Sequence, residues 1–171
     1  MKQFLLILFS FCFSSVQLQA QTDVTELYNK ALLLKKERKC AEAIPVLQKI
    51  IEMKPDYSKV LLDLGWCFNE TKQFAKAMSY LQKLIALDST DAIAWGEIGY
   101  TYYSLQSIDT AVEHLTKANL LKPKTETTLY YLGLCYIRKS NKAEAVKKYN
   151  ELSLLNSSYA GKLLEEIKDM K

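Results

Sequence analysis

The 171-residue sequence is poor in residues that break helices, with five Gly and three Pro. That shortage excludes a fold built on tight hairpins and Gly-rich loops, because their backbone angles are reached readily only by Gly or fixed by Pro. Histidine is nearly missing as well. His114 stands alone, without a Cys or His partner at metal-ligand spacing, so it reads as a solvated surface residue rather than a ligand. No charge of one sign dominates: 23 basic and 19 acidic side chains give a net +4. Such a balance cannot hold a phosphate backbone, and nucleic acid is excluded as a dedicated partner. There is no Gly-rich phosphate loop and no Ser or Cys in a nucleophile motif. These gaps describe a chain that is not an enzyme and that uses no cofactor or metal. What remains is 49% apolar and 25% charged, an ordinary globular balance, and its abundant Leu, Lys, Ala and Glu favour helix over sheet.

Long apolar runs are missing except at the start. Met1 and Lys2 precede the run from Phe4 to Phe13, which is followed by more polar residues ending at Ala20. This is the order of a secretory signal peptide, with a charged start, a short apolar core and a small residue at the cut. The core is too short to span a bilayer, which takes roughly 20 residues. Cys12 lies between Phe11 and Phe13, without the small preceding residue that a lipid-modified cysteine needs. The sequence predicts a signal peptide over residues 1–20 and an exported mature chain, periplasmic or secreted, with no integral membrane span. Export permits disulfides, but the mature chain keeps an odd number of cysteines: Cys40, Cys67 and Cys135. Three free, buried thiols are the reading favoured by their apolar character, and a Cys40–Cys67 bridge is the alternative.

Self-comparison settles the architecture. Ala43, Ala77, Ala111 and Ala145 recur every 34 residues, as do Gly65, Gly99 and Gly133. Larger apolar residues keep the same interval, in the series Leu27, Leu61, Trp95, Leu129 and the series Leu34, Phe68, Tyr102, Tyr136. A fixed period of this length marks a repeat architecture. Within one period the apolar spacing is helical twice over: Trp95, Ile98, Gly99 and Tyr102 mark one face, and Ala111, Leu115 and Ala118 a second. Each unit is therefore a helical hairpin, with Gly99 and Ala111 letting its two helices approach closely. Asp91, Thr125 and Ser158 are the predicted caps of the helices that follow them. The units are residues 24–57, 58–91, 92–125 and 126–159, and residues 160–171, with the stripe Leu163, Leu164 and Ile167, form a C-terminal capping helix. A single hairpin cannot bury its own apolar face, so neighbours must stack. The prediction is an all-α, right-handed superhelical solenoid of four helix-turn-helix repeats plus a cap.

These residues resemble the tetratricopeptide repeats. The third repeat carries the motif best, with Trp95, Ile98-Gly99, Tyr102, Ala111, Leu115, Ala118 and Pro123 at the places it expects. Two departures stand out. The glycine usual between the paired helices is replaced by Arg38, Lys72, Gln106 and Ser140, and Pro45 falls inside the second helix of repeat one, the degenerate copy.

The resemblance implies a protein-interaction module whose first helices line a concave groove for a partner peptide or helix. Carried over position by position, the groove comprises Tyr28, Leu32 and Lys35; Leu62, Trp66 and Asn69; Ile93, Tyr100 and Tyr103; and Tyr130, Leu134 and Arg138. These positions are expected to face solvent, and so many apolar and aromatic groups there read as a contact surface. Tyr28 and Leu32 stand where a carboxylate-gripping clamp of this family would want Lys and Asn, so the ligand expected is a mainly apolar segment with an acidic group near Lys35 or Arg138. Self-association through the open solenoid ends, as a structural subunit of a cell-envelope assembly, is the alternative. The run Lys35-Lys36-Glu37-Arg38-Lys39 reads as a solvated turn, since Glu37 interrupts it.

Overall fold

The computed structural model describes residues 23–170; the expected signal peptide lies outside them. Nine helices and no strand occur among the described residues. They are α1 (23–36), α2 (Cys40–Met53), α3 (Ser58–Glu70), α4 (Phe74–Leu87), α5 (Ala92–Ser104), α6 (Ile108–Leu121), α7 (Glu126–Arg138), α8 (Lys142–Leu154) and α9 (Ser158–Lys168). The first helices of repeats two, three and four begin at 58, 92 and 126, where the period places them. The first helices α3, α5 and α7 each pack on the second helix of their own repeat, and α3, α5, α7 and α9 also pack on one another in sequence. The fold is an all-α repeat solenoid.

The hairpins close because four turns share one geometry. Arg38, Lys72, Gln106 and Ser140 all adopt positive φ, between 55° and 62°. At each, the residue after the helix doubles back. The Gln106 N–H bonds the Tyr103 carbonyl at 3.0 Å and the Ser107 N–H bonds the Tyr102 carbonyl at 2.9 Å. These paired bonds are a Schellman cap, which satisfies carbonyls that the helix end would leave orphaned. The missing glycines therefore do not alter the turn.

Helix approach depends on small residues. Ala43, Ala77, Ala111 and Ala145 are all fully buried. A methyl group on Gly65 or Gly99 would lie 2.5 Å from Leu81 or Leu115 of the partner helix, so leucine fills the space that each glycine leaves. In repeat four the partner changes: Gly133 meets Leu163 of α9, and the last helix packs into the repeat rather than resting on its end. That is how the stacking face of α7 and α8 is covered, with Leu163 and Ile167 buried.

Three local expectations are corrected. The α9 cap is Ser157, not Ser158: its hydroxyl accepts the Tyr159 N–H and donates to Glu126 Oε2 at 2.5 Å, tying the cap to α7. Asp91 does cap α5, accepting from the Ile93 and Ala94 N–H groups, but Thr125 spends its hydroxyl on the Lys122 carbonyl instead. His114 is half-buried rather than fully solvated: its ring lies 5.5 and 5.1 Å from the centres of the Trp95 and Tyr102 rings, and its Nδ1 is 2.9 Å from the Thr110 carbonyl. Pro45 sits within a helix assigned continuously from Cys40 to Met53; the residue at the carbonyl it deprives, Ala41, is exposed, where water can serve. Cys40, Cys67 and Cys135 are free and buried. Burial pushes the Cys135 thiol up to about 12. None of the described helices is long and apolar enough to cross a membrane.

Candidate functional site

The first helices present one wall each to a shared concavity. Its cavity measures about 450 Å³ and is lined by Trp66 and Glu70 of α3, by Ile93, Gly96, Glu97 and Tyr100 of α5, by Thr127, Thr128, Tyr130 and Tyr131 of α7, and by Tyr159 and Lys162 of α9. Arg38, from the first turn, reaches its edge. A methyl group on Gly96 would make ordinary contacts, 3.5 Å from Thr128 Oγ1 and 3.9 Å from Ala118 Cβ. The wall is aromatic, its rings meeting at tilted and edge-on angles: Tyr100 of α5 and Tyr131 of α7 at 4.9 Å, Tyr130 and Tyr131 within α7 at 5.5 Å, and Tyr130 and Tyr159 of α9 at 4.8 Å. Tilted and edge-to-face contacts of this kind are favourable ring arrangements and fix the ring positions.

Charged and polar side chains line the cavity too, and those at the second repeat junction are held by one another. Asn69 Nδ2 donates to Glu97 Oε2 at 3.0 Å, and Thr101 Oγ1 donates to Asn69 Oδ1 at 2.8 Å. Burial raises the Glu97 carboxyl above the usual carboxylate range, the Asn69 bond works against that, and Glu70 adds a smaller push upward. Tyr131 is raised in the same way, first by burial and then by its tyrosine neighbours and Glu97. One repeat earlier, the Lys35 ammonium bonds Asp63 and lies 5.0 Å from the centre of the Trp66 ring. Lys35 is thus a fixed, half-buried partner, not part of a solvated turn. Among the described residues no group of three or more His, Cys, Asp and Glu could hold a metal ion.

Of the residues placed in the groove from the sequence, the structure brings Trp66, Ile93, Tyr100 and Tyr130 to the cavity. Ile93 is 50% exposed, whereas the three aromatic residues are half-buried. Two others are not on a surface at all. Asn69 is 1% exposed, being committed to Glu97 and Thr101, and Leu134 is buried in the C-terminal core. Tyr28 and Leu62 pack against the N-terminal core, and Tyr103 against the C-terminal one. Leu32 is exposed but outside the cavity, and the exposed Arg138 bonds the Gln106 side chain. The expected open apolar stripe is therefore a set of rings packed on one another.

Sequence reasoning missed Glu97, Tyr131 and Tyr159. The first two had a signal: they share a repeat position with Asp63, at intervals of 34. Tyr159 had none, because its place depends on how α9 docks.

Three tetratricopeptide repeat models match the chain, over residues 34–98, 92–125 and 127–154. The general transcriptional corepressor trfA of Dictyostelium discoideum is 27% identical over 120 residues, which is 69% of this chain and 9% of that protein. The chain thus spans a small part of the curated relative's length. Among solved structures, MamA from Desulfovibrio magneticus RS-1 superposes with a TM-score of 0.70 at 22% identity, covering 78% of this chain and 75% of that one. YrrB, described as a repeat protein of this type with an unusual peptide-binding site, superposes with a TM-score of 0.69 at 18% identity, covering 85% and 74%. At these identities the likeness is one of fold.

Proposed function

The chain belongs to the tetratricopeptide repeat family and is a protein-interaction scaffold, and from that premise we propose that its concave cavity holds a segment of a partner polypeptide. One observation carries the reading: rings from four successive first helices, Trp66, Tyr100, Tyr130, Tyr131 and Tyr159, converge on one cavity of about 450 Å³. A cavity rimmed by rigid aromatics suits a side chain or short segment better than a flat protein surface, since such rings supply large contact area at small entropic cost. The peptide-binding site reported for YrrB supports the reading by analogy of fold. A partner in an envelope or extracellular setting is part of this proposal, supported by the signal-peptide pattern of residues 1–20. Trp66→Ala and Tyr100→Ala test the site. Each is expected to weaken partner binding by about 2 kcal/mol, roughly thirtyfold, whereas Lys147→Ala on α8 changes it little. Melting temperature is measured beside affinity. Loss of binding with unchanged melting supports the site, and unimpaired binding in both aromatic variants contradicts it.

A further inference from the structure

Residues 34 apart occupy equivalent places at successive repeat junctions, so one constellation can be followed along the solenoid. At the first junction it is Lys35 of α1 with Asp63 and Trp66 of α3. The Lys35 ammonium bonds the Asp63 carboxylate and lies over the Trp66 ring. A carboxylate and an aromatic face there hold a cation that the chain itself supplies. One period on, the same places are Asn69 of α3 with Glu97 and Tyr100 of α5. The carboxylate and the ring are kept, but the cation has become a neutral amide. At the third junction the places are Tyr103, Tyr131 and Leu134, and no charge remains.

Glu97 is thus a carboxylate whose repeat-equivalent partner is missing. Glu97 is half-buried, and a carboxylate partly withdrawn from water is stabilised by an ion-pair or hydrogen-bond partner. Glu97 receives one side-chain bond, from Asn69, and none of the ion pairs among the described residues includes it. It lines the cavity beside the Tyr100 and Tyr131 rings, which are inclined by 54° with centres 4.9 Å apart. We infer that the cavity at this second junction takes a cationic group from outside, the ammonium or guanidinium of a lysine or arginine side chain of the partner segment. It would sit as Lys35 sits at the first junction, between Glu97 and an aromatic face. The inference rests on the concave cavity being the contact surface, and it reverses the sequence expectation of an acidic ligand. Arg38 and Lys162 also line the cavity, but both are exposed, as is Glu70 beside them. Water and salt screen those rim charges more than the inner one, so Glu97 sets the sign that the cavity prefers.

The test uses the full chain with butylammonium and butylguanidinium chloride, the ends of lysine and arginine side chains, against sodium chloride at equal ionic strength. NMR follows the Tyr100 and Tyr131 ring resonances and the Glu97 carboxyl carbon. The expected result is a saturable shift for both organic cations, half complete in the millimolar range that so few atoms can reach. Glu97→Gln, of nearly the same shape and still able to accept from Asn69, weakens it at least about tenfold, as losing a desolvated charge partner should. Asn69→Lys, which copies Lys35, weakens it likewise; should that variant fail to fold, Glu97→Gln decides alone. Shifts equal to those with sodium chloride, or full cation binding by a folded Glu97→Gln chain, overturn the inference. Partner binding that is lost in Trp66→Ala, but neither altered by Glu97→Gln nor competed by butylammonium, leaves the groove in place and removes only the cation.

Discussion

At Gly99 one added methyl group has nowhere to go. It would lie 2.5 Å from Leu115 Cγ and 3.1 Å from the Leu115 backbone nitrogen, and backbone cannot step aside as a side chain can. Gly161, by contrast, sits in α9 with nothing within 4 Å of the same point. The two glycines predict opposite signs. Gly99→Ala should cost about 1–3 kcal/mol through overpacking. Gly161→Ala should add about 0.5–1 kcal/mol, because alanine loses less entropy in a helix. Denaturant midpoints of the two variants check this, and a stabilised Gly99→Ala chain would show that α5 and α6 do not meet where described. The same scale explains why Asn69 was misjudged from the sequence. Its repeat position points toward the groove, but its amide bonds Glu97 and Thr101, and no spacing rule announces a polar group that finds its partners inside.

Among elements, the helices themselves were legible. A 34-residue interval and two amphipathic stretches per unit place α3, α5 and α7 to the residue, since burial of one face fixes where each helix must lie. The ends were less so, as Ser157 rather than Ser158 capping α9 shows, because neighbouring serines offer the same hydroxyl and only the chain path chooses. The turns carry a cost that the sequence displays. Arg38, Lys72, Gln106 and Ser140 occupy left-handed backbone, which costs a side-chain-bearing residue about 1–2 kcal/mol over glycine. Glycine returns part of that as lost unfolded-state constraint. Gln106→Gly and Ser140→Gly should each raise stability by about 0.5–1 kcal/mol, read as a higher denaturant midpoint with unchanged slope. A lower midpoint would mean that the side chain replaced contributes more than the backbone strain removed. For Gln106 the candidate contribution is its bond to Arg138.

For the whole molecule, the cavity is where sequence reasoning stopped short. The family resemblance assigned Trp66, Ile93, Tyr100 and Tyr130 to one concave side, because the first helices of such repeats line a shared groove. It could not say how tightly those helices curl, and curvature decides that Tyr131 joins the wall while Leu134 is buried. Nor could it show that α9 docks as a fifth first helix, placing Tyr159 at the far edge. The central claim is that binding uses this inner side and not the outer helices. Photocrosslinking tests it most directly, with benzoylphenylalanine placed in turn at Ile93, exposed beside the cavity on α5, and at Leu120, 72% exposed on α6. In a native extract, the account predicts one partner crosslinked from position 93, diminished by Tyr100→Ala, and none from position 120. A partner captured from position 120, with position 93 silent in a folded chain, would contradict it.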